Sequence, residues 1–164
     1  NASYLGVRQR SYHYTAETRM EFTPKAGEEA GLVILQSEMA SVRFVVMEEN
    51  GKSVLRVVSF GDRLNGGKTQ EKTLENGVIL AQAALPVESV GITLKIMQKG
   101  QQLSFWYAPQ DMDFSRIPAT VDSRFLSTEA AGGFVGNTIG MYASSNHAES
   151  ENYALFDYFV VTDL

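Results

Sequence analysis

The residues able to do chemistry are few and scattered. His13 and His147 are the only two histidines of the chain, and they stand far apart in unrelated contexts. There is no cysteine, which removes thiol catalysis, disulfides and thiolate zinc sites together. No His-Glu-x-x-His run, nucleophile elbow or phosphate-cradling glycine loop occurs. The carboxylates offer three candidate pairs. Glu17 and Glu21 share one face of an extended segment, but Arg19 sits between them on that face. Hydrolysis by two carboxylates needs both to converge on one bond. An intervening arginine reads instead as a solvated strand face carrying local ion pairs. Glu28-Glu29 and Glu48-Glu49 are adjacent residues, which point opposite ways where the chain is extended. The expectation is a chain with no catalytic machinery of its own.

Composition narrows the partners. Of 164 residues, 44% are hydrophobic and 20% charged, ordinary values for one globular domain with a full core. The net charge is −5, and the lysines and arginines are dispersed. There is no basic stripe to follow a nucleic acid and no basic amphipathic helix to lie on a membrane. No apolar run is long enough to cross a bilayer. Neither nucleic acid nor membrane is expected as a partner. Asn1-Ala2 reads as a cloning scar and 3–164 as a single domain cut from a longer protein. The compartment is not fixed by these features, with periplasmic or extracellular favoured over cytoplasmic.

The elements that must position these residues have a period of two. In Thr15–Phe22, Ala16, Thr18, Met20 and Phe22 alternate with polar residues, and Ile92–Ile96 repeats the pattern. Such alternation sets one strand face on a core and the other in water. The predicted core therefore includes Ala16, Met20, Phe22, Ile92, Leu94 and Ile96. Leu32–Leu35, Arg43–Met47 and Val54–Val58 are short runs suited to strands buried on both faces. Asn50-Gly51, Asn76-Gly77 and Lys99-Gly100 punctuate the runs as hairpin turns. Pro24, Pro86, Pro109 and Pro118 are expected at run ends, where a missing amide does no harm. Ser123–Ala131 has room for a helical turn or two at most. Many short antiparallel strands predict an all-β sandwich or closed barrel.

The last third carries a recognisable pattern. Leu126–Ala143, including Gly132-Gly133-Phe134-Val135-Gly136, is followed by Tyr153-Ala154-Leu155-Phe156-Asp157-Tyr158-Phe159. Together with Leu5–Gln9 and Glu28–Leu32, this order resembles the C-terminal domain of family 43 glycoside hydrolases, the β-xylosidases and α-arabinofuranosidases. The resemblance implies a concanavalin A-like sandwich of two antiparallel sheets. It also implies a catalytic propeller domain as partner in the same parent chain, with the sandwich packed beside it. A loop of the sandwich would close over the propeller's substrate pocket. By the same resemblance that loop holds Gly133, Phe134 and Gly136, with the Phe134 ring reaching the pocket. The residues alone also allow Phe134 to turn inward and cap this domain's own core. Two departures stand out: Leu155 replaces the first acid of an Asp-Phe-Asp pattern, and Ala108–Phe114 replaces an Asp-Gly turn with a following tryptophan.

Other residues keep two readings each. Trp106, the only tryptophan, suits either a sugar-stacking surface or a core and inter-domain filler. Arg8, near Tyr4, Tyr12 and Tyr14, suits a carbohydrate or inter-domain contact, or a buried ion pair. Asp157 suits a structural calcium site of hard oxygen ligands, or a carboxylate accepting backbone N–H bonds. No cofactor is required. The function expected is that of an accessory domain shaping a glycosidase pocket in plant-polysaccharide breakdown. An independent carbohydrate-binding module and a non-catalytic laminin-G-like interaction domain are the alternatives.

Overall fold

In the computed structural model, residues 2–37, 39–62, 65, 77–86, 91–110, 112–126, 136–146 and 149–164 are described. Their strands in chain order are β1 (Ala2–Arg8), β2 (His13–Glu21), β3 (Glu29–Ser37), β4 (Ala40–Glu49), β5 (Lys52–Phe60) and β6 (Val78–Ala84). Then follow β7 (Gly91–Lys99), β8 (Gln102–Pro109), β9 (Ser115–Asp122), β10 (Thr138–Ser144) and β11 (Leu155–Asp163). They form two sheets. One runs β1-β10-β3-β4-β5-β6 and the other β11-β2-β7-β8-β9, and every pairing is antiparallel. The expected sandwich is thus the one observed, and Ala2 is itself paired, with Ser144. Among the described residues, no helix is long and apolar enough to cross a membrane.

Alternation accounts for the core. Along β2, buried Tyr14, Ala16, Thr18 and Met20 alternate with half-buried Thr15, Glu17, Arg19 and Glu21. All six residues predicted from the two alternating segments belong to the main buried cluster. The sheets meet through rings as well as aliphatic chains. Phe44 of β4 and Phe105 of β8 touch edge-to-face, centroids 5.3 Å apart at 65°, an arrangement that suits the ring quadrupoles. Each fully buried Leu, Ile or Phe contributes about 1.5–3 kcal/mol by leaving water. The continuous runs behave as expected too. In β4 and β5 the outward-facing Val45 and Val58 are as buried as the inward-facing Phe44 and Val57. A small second cluster of Val45, Met47 and Val54, with Tyr142 against it, lies on that outer side.

Turn chemistry sets the registers. Asn50 and Gly51 adopt φ of 53° and 78°, the pair of positive values a type I′ hairpin needs, and Glu49 faces Lys52 across it. Gly100 at φ 62° opens the next tight turn, closing Lys99 onto Gln102. The third predicted turn falls on Asn76, which lies outside the described residues; Gly77 is described, with φ 136°. Residues 61–77 join β5 to β6 in the chain. Asn65 among them is stitched to β9, donating to the Asp122 carbonyl at 2.9 Å and accepting from its amide at 2.7 Å. Pro118 differs from expectation, because it lies inside β9. That strand is a sheet edge with a register shift opposite Phe105, so no ladder donor is lost. Ser123–Leu126 forms one 3-10 turn that buries Phe125 and Leu126.

Candidate functional site

Strand geometry separates the acidic residues that looked pairable. Glu17 and Glu21 lie four residues apart along β2, which at ~3.3 Å per residue is about 13 Å. Two carboxylates working on one glycosidic bond stand ~5–9.5 Å apart. Glu17 and the intervening Arg19 also have partners on β11. Arg19 does not pair with its strand neighbours but with Asp157 across on β11. The Tyr158 hydroxyl donates to Glu17 Oε2 at 2.6 Å. Burial, together with that carboxylate, pushes the Tyr158 phenol up to about 12, so the bond is kept across neutral pH. The outer face of β2 and β11 is thus knit by one ion pair and one phenol–carboxylate bond.

The same ion pair bears on calcium. The carboxylate of Asp157 is committed to Arg19 and sits at a bulge between Phe156 and Tyr158. Among the described residues, no group of three or more His, Cys, Asp or Glu could hold a metal ion. The residues present do not fit a calcium site at Asp157. Glu48 and Glu49 are likewise structural: Glu48 accepts from the Gly51 amide in the hairpin, and Glu49 holds Arg56 at 3.1 Å.

Trp106 points outward from β8, half-buried, on the face away from the core. Its indole N–H donates to Ser104 Oγ at 3.0 Å. Lys95 Nζ stands 5.7 Å from its ring centre and 4.2 Å from that of Phe114, and the Arg116 guanidinium stands 5.5 Å from the indole. These are cation–π contacts on the aromatic surface. Arg8 ends β1, is exposed, and makes no ion pair among the described residues. The buried-ion-pair reading of Arg8 is therefore not the one observed. Tyr4, on the same strand, donates to Thr138 Oγ1 at 2.6 Å. Of the loop residues, Gly133 and Phe134 lie outside the described residues. Gly136 is described, half-buried with φ 143°, at the entry to β10. His13 opens β2 and is exposed, and His147 is outside the described residues.

A depression of about 860 Å³ lies where the chain enters β3 and β11; Glu28, Glu149, Ser150, Asn152 and Tyr153 are among its lining. Sequence reading singled out Glu28 and Glu29 only as adjacent residues and did not find their burial. Glu28 is buried, and its carboxylate accepts from the Lys25 amide at 2.7 Å, from Asn152 Nδ2 at 2.7 Å and from the Ser150 hydroxyl. Burial alone would raise its pKa, but these donors hold it below the ordinary carboxylate value. Beside it, Glu29 reaches Arg43 at 2.7 Å in a fully buried ion pair, and Asn146 Nδ2 bonds the other Glu29 oxygen at 3.2 Å. The signal was two glutamates leading straight into an apolar run, a place where burial requires partners. The arrangement binds loops to strands.

Comparison with known proteins gives the frame for this site. Residues 1–162 match the family model described as the β-xylosidase C-terminal concanavalin A-like domain. A xylosidase/arabinosidase of Butyrivibrio fibrisolvens is 31% identical over 165 residues, covering 100% of this chain and 29% of the relative. A non-reducing end α-L-arabinofuranosidase of Bacteroides ovatus is 30% identical, covering 96% of this chain and 27% of its own length. A solved Bacteroides ovatus structure, described as Xyloglucan PUL GH43B, superposes with a TM-score of 0.83 at 28% identity, over 99% of this chain and 29% of that one. The chain thus spans less than a third of the curated relatives it matches. Sandwich topology, whole-length match and order of motifs agree, and the chain belongs to the family of β-xylosidase C-terminal concanavalin A-like domains.

Proposed function

We propose that this chain serves as the accessory sandwich of a larger family 43 glycosidase, a β-xylosidase or α-arabinofuranosidase, and does no hydrolysis itself. The observation that carries this reading is the ratio of coverage: nearly all of this chain matches under a third of each glycosidase. The remaining length is where the carboxylates of a propeller would sit. The sandwich then buttresses that domain, and the Phe134 segment walls its substrate pocket. The outward carboxylates described above support the non-catalytic part, because each that was a candidate for pairing is spaced too far or already bonded. The cations over Trp106 and Phe114 weigh against a flat stacking platform on that sheet.

The test is a division of labour. The isolated chain is expected to leave aryl β-xylosides and aryl α-arabinofuranosides intact, while the parent cleaves one or both. Removing this domain from the parent should lower kcat/KM for a substrate the full enzyme accepts. Turnover by the isolated chain that vanishes on substitution of one of its own carboxylates would overturn the reading. Unchanged parental kinetics without the domain would remove the pocket-shaping role.

A further inference from the structure

The arginines of the sandwich are unevenly engaged. Among the described residues, Arg19, Arg43, Arg56 and Arg124 each hold a carboxylate. Arg116 lies over the Trp106 ring and donates to Thr120 Oγ1 at 3.1 Å. Arg8 and Arg10 are exposed and make neither kind of contact. Both line one cavity of about 240 Å³, which opens between β1, the edge of one sheet, and β11, the edge of the other. Among its described lining Asp163 is the one carboxylate, and it pairs with neither arginine. Lys99 stands opposite His13 at the same end of β2 and holds no carboxylate either. This end therefore carries a surplus of positive charge, on a chain whose net charge is −5.

Apolar surface lies beside these cations. Val7, Tyr12 and Leu164 are large hydrophobic residues left exposed here. Leu164 is fixed in place by its amide, which donates to the His13 carbonyl at 2.9 Å. Exposed apolar side chains rimmed by charge mark a contact surface. Once a second surface expels water, a guanidinium meets a carboxylate with two parallel bonds, which strengthens and orients the contact. The rim is also tied to the segment assigned above to the neighbouring pocket. Gln9, between the two arginines, donates its amide to the Asn137 carbonyl at 2.8 Å, and its side-chain carbonyl accepts from Asn137 Nδ2 at 3.4 Å. Asn137 follows Phe134 by three residues in the chain.

We infer that the Arg8–Arg10 rim docks on a carboxylate-bearing surface of the parent's catalytic domain. Three observations choose that occupant. This chain spans 29% of the xylosidase/arabinosidase it matches, so more than two thirds of a parent of that kind lies outside it and supplies a partner in cis. The surplus charge calls for an anionic partner. The bonds from Gln9 to Asn137 hold the rim beside the segment that leads from Phe134. Tethering in one chain brings the two surfaces to an effective concentration of about millimolar, so a contact too weak to join separate molecules is still made. The inference rests on the accessory role proposed above and names the surface that serves it, but it needs no contribution of Phe134 to catalysis.

Amide hydrogen exchange in the full parent enzyme tests it. Arg8→Glu with Arg10→Glu reverses both charges. In the parent this should speed exchange over 5–12 and 160–164 by about tenfold, the scale of a lost interfacial charge contact, and leave β9 unchanged. Sodium chloride at about 1 M should speed exchange there in the unaltered parent and not in the variant. The isolated chain, whose two sheets enclose a core of their own, should keep its Tm with both changes, since neither arginine has a partner within it. A lower Tm would mean that the arginines serve the fold, and would overturn the proposal. So would exchange in the parent that is indifferent to the charge reversal. Slowing of this rim in the parent by ~10 mM D-glucuronate would also overturn it, by showing the arginines open to a free acid. Protection in the isolated chain that grows with its own concentration would put a second copy there instead. Exchange is read without substrate, so a failure here leaves the kinetic test of the accessory role standing.

Discussion

Two adjacent glutamates illustrate how burial is made tolerable at the level of the residue. Glu28 is held below its ordinary pKa by the Asn152, Ser150 and Lys25 donors that outweigh its burial. A carboxylate with a depressed folded pKa adds stability above its unfolded value of ~4.3, and that stability disappears as pH falls through the folded value. Glu28→Gln keeps the shape and removes the charge. The Tm gap between wild type and Glu28→Gln should be full above about pH 5 and should narrow as pH falls below the unfolded value of ~4.3; a gap that stays constant from neutral to acid would count against this account. Glu29 works differently, through a buried pair with Arg43 whose side chains are 0% and 7% exposed. Removing one partner strands the other charge out of water, so Glu29→Gln should cost about 3–5 kcal/mol in denaturant unfolding. The double change Glu29→Leu with Arg43→Met should cost less than the single one, because no lone charge remains. A double variant as unstable as the sum of its parts would show that the two residues act independently.

At the scale of elements, most strands were legible and the connections were not. β2 and β7 announced themselves by alternation, since each has one wet face, and their predicted inward residues are all in the core. β3, β4 and β5 were legible as two-sided runs because they occupy the interior of their sheet. The Asn50-Gly51 hairpin followed from its two positive φ values. Pro118 misled because a proline inside a strand is tolerated at an edge, and edge position is a property of the sheet. The burial of Tyr14 and Glu28 was not legible for the same reason, since it depends on which strands become neighbours. One glycine shows how tight those neighbours are. A Cβ on Gly31 would stand 2.1 Å from the Phe44 carbonyl oxygen and 2.9 Å from Val45 Cα, and backbone cannot swing aside as a side chain can. Gly31→Ala should therefore destabilise by about 1–3 kcal/mol or more, read as a lower urea midpoint with an unchanged slope. A neutral outcome would mean that β3 and β4 can part without loss.

For the whole molecule, function follows from what the sandwich leaves to its neighbour. Among the described residues, several of its charged groups serve structure: Arg19 with Asp157, Glu17 with Tyr158, Glu29 with Arg43. An accessory role then rests on surface, and the residue proposed to deliver it is Phe134. Its glycine-flanked segment leads into β10, which pairs with both β1 and β3, so it departs from a firmly anchored strand. Glycines grant such a segment turns that other residues resist. If its ring walls the parent's pocket, it excludes water beside the bond to be cleaved and contributes one apolar contact. Such a contact is worth ~1–3 kcal/mol in transition-state binding. Phe134→Ala should then lower the parent's kcat/KM by about tenfold, and leave the urea midpoint of the isolated chain nearly unchanged, because little buried area is lost. A core-capping Phe134 reverses both results, with about 3–5 kcal/mol of lost domain stability and parental kinetics that stay as they were. Measuring the two quantities on the same substitution separates a residue that serves the fold from one that serves the neighbouring pocket.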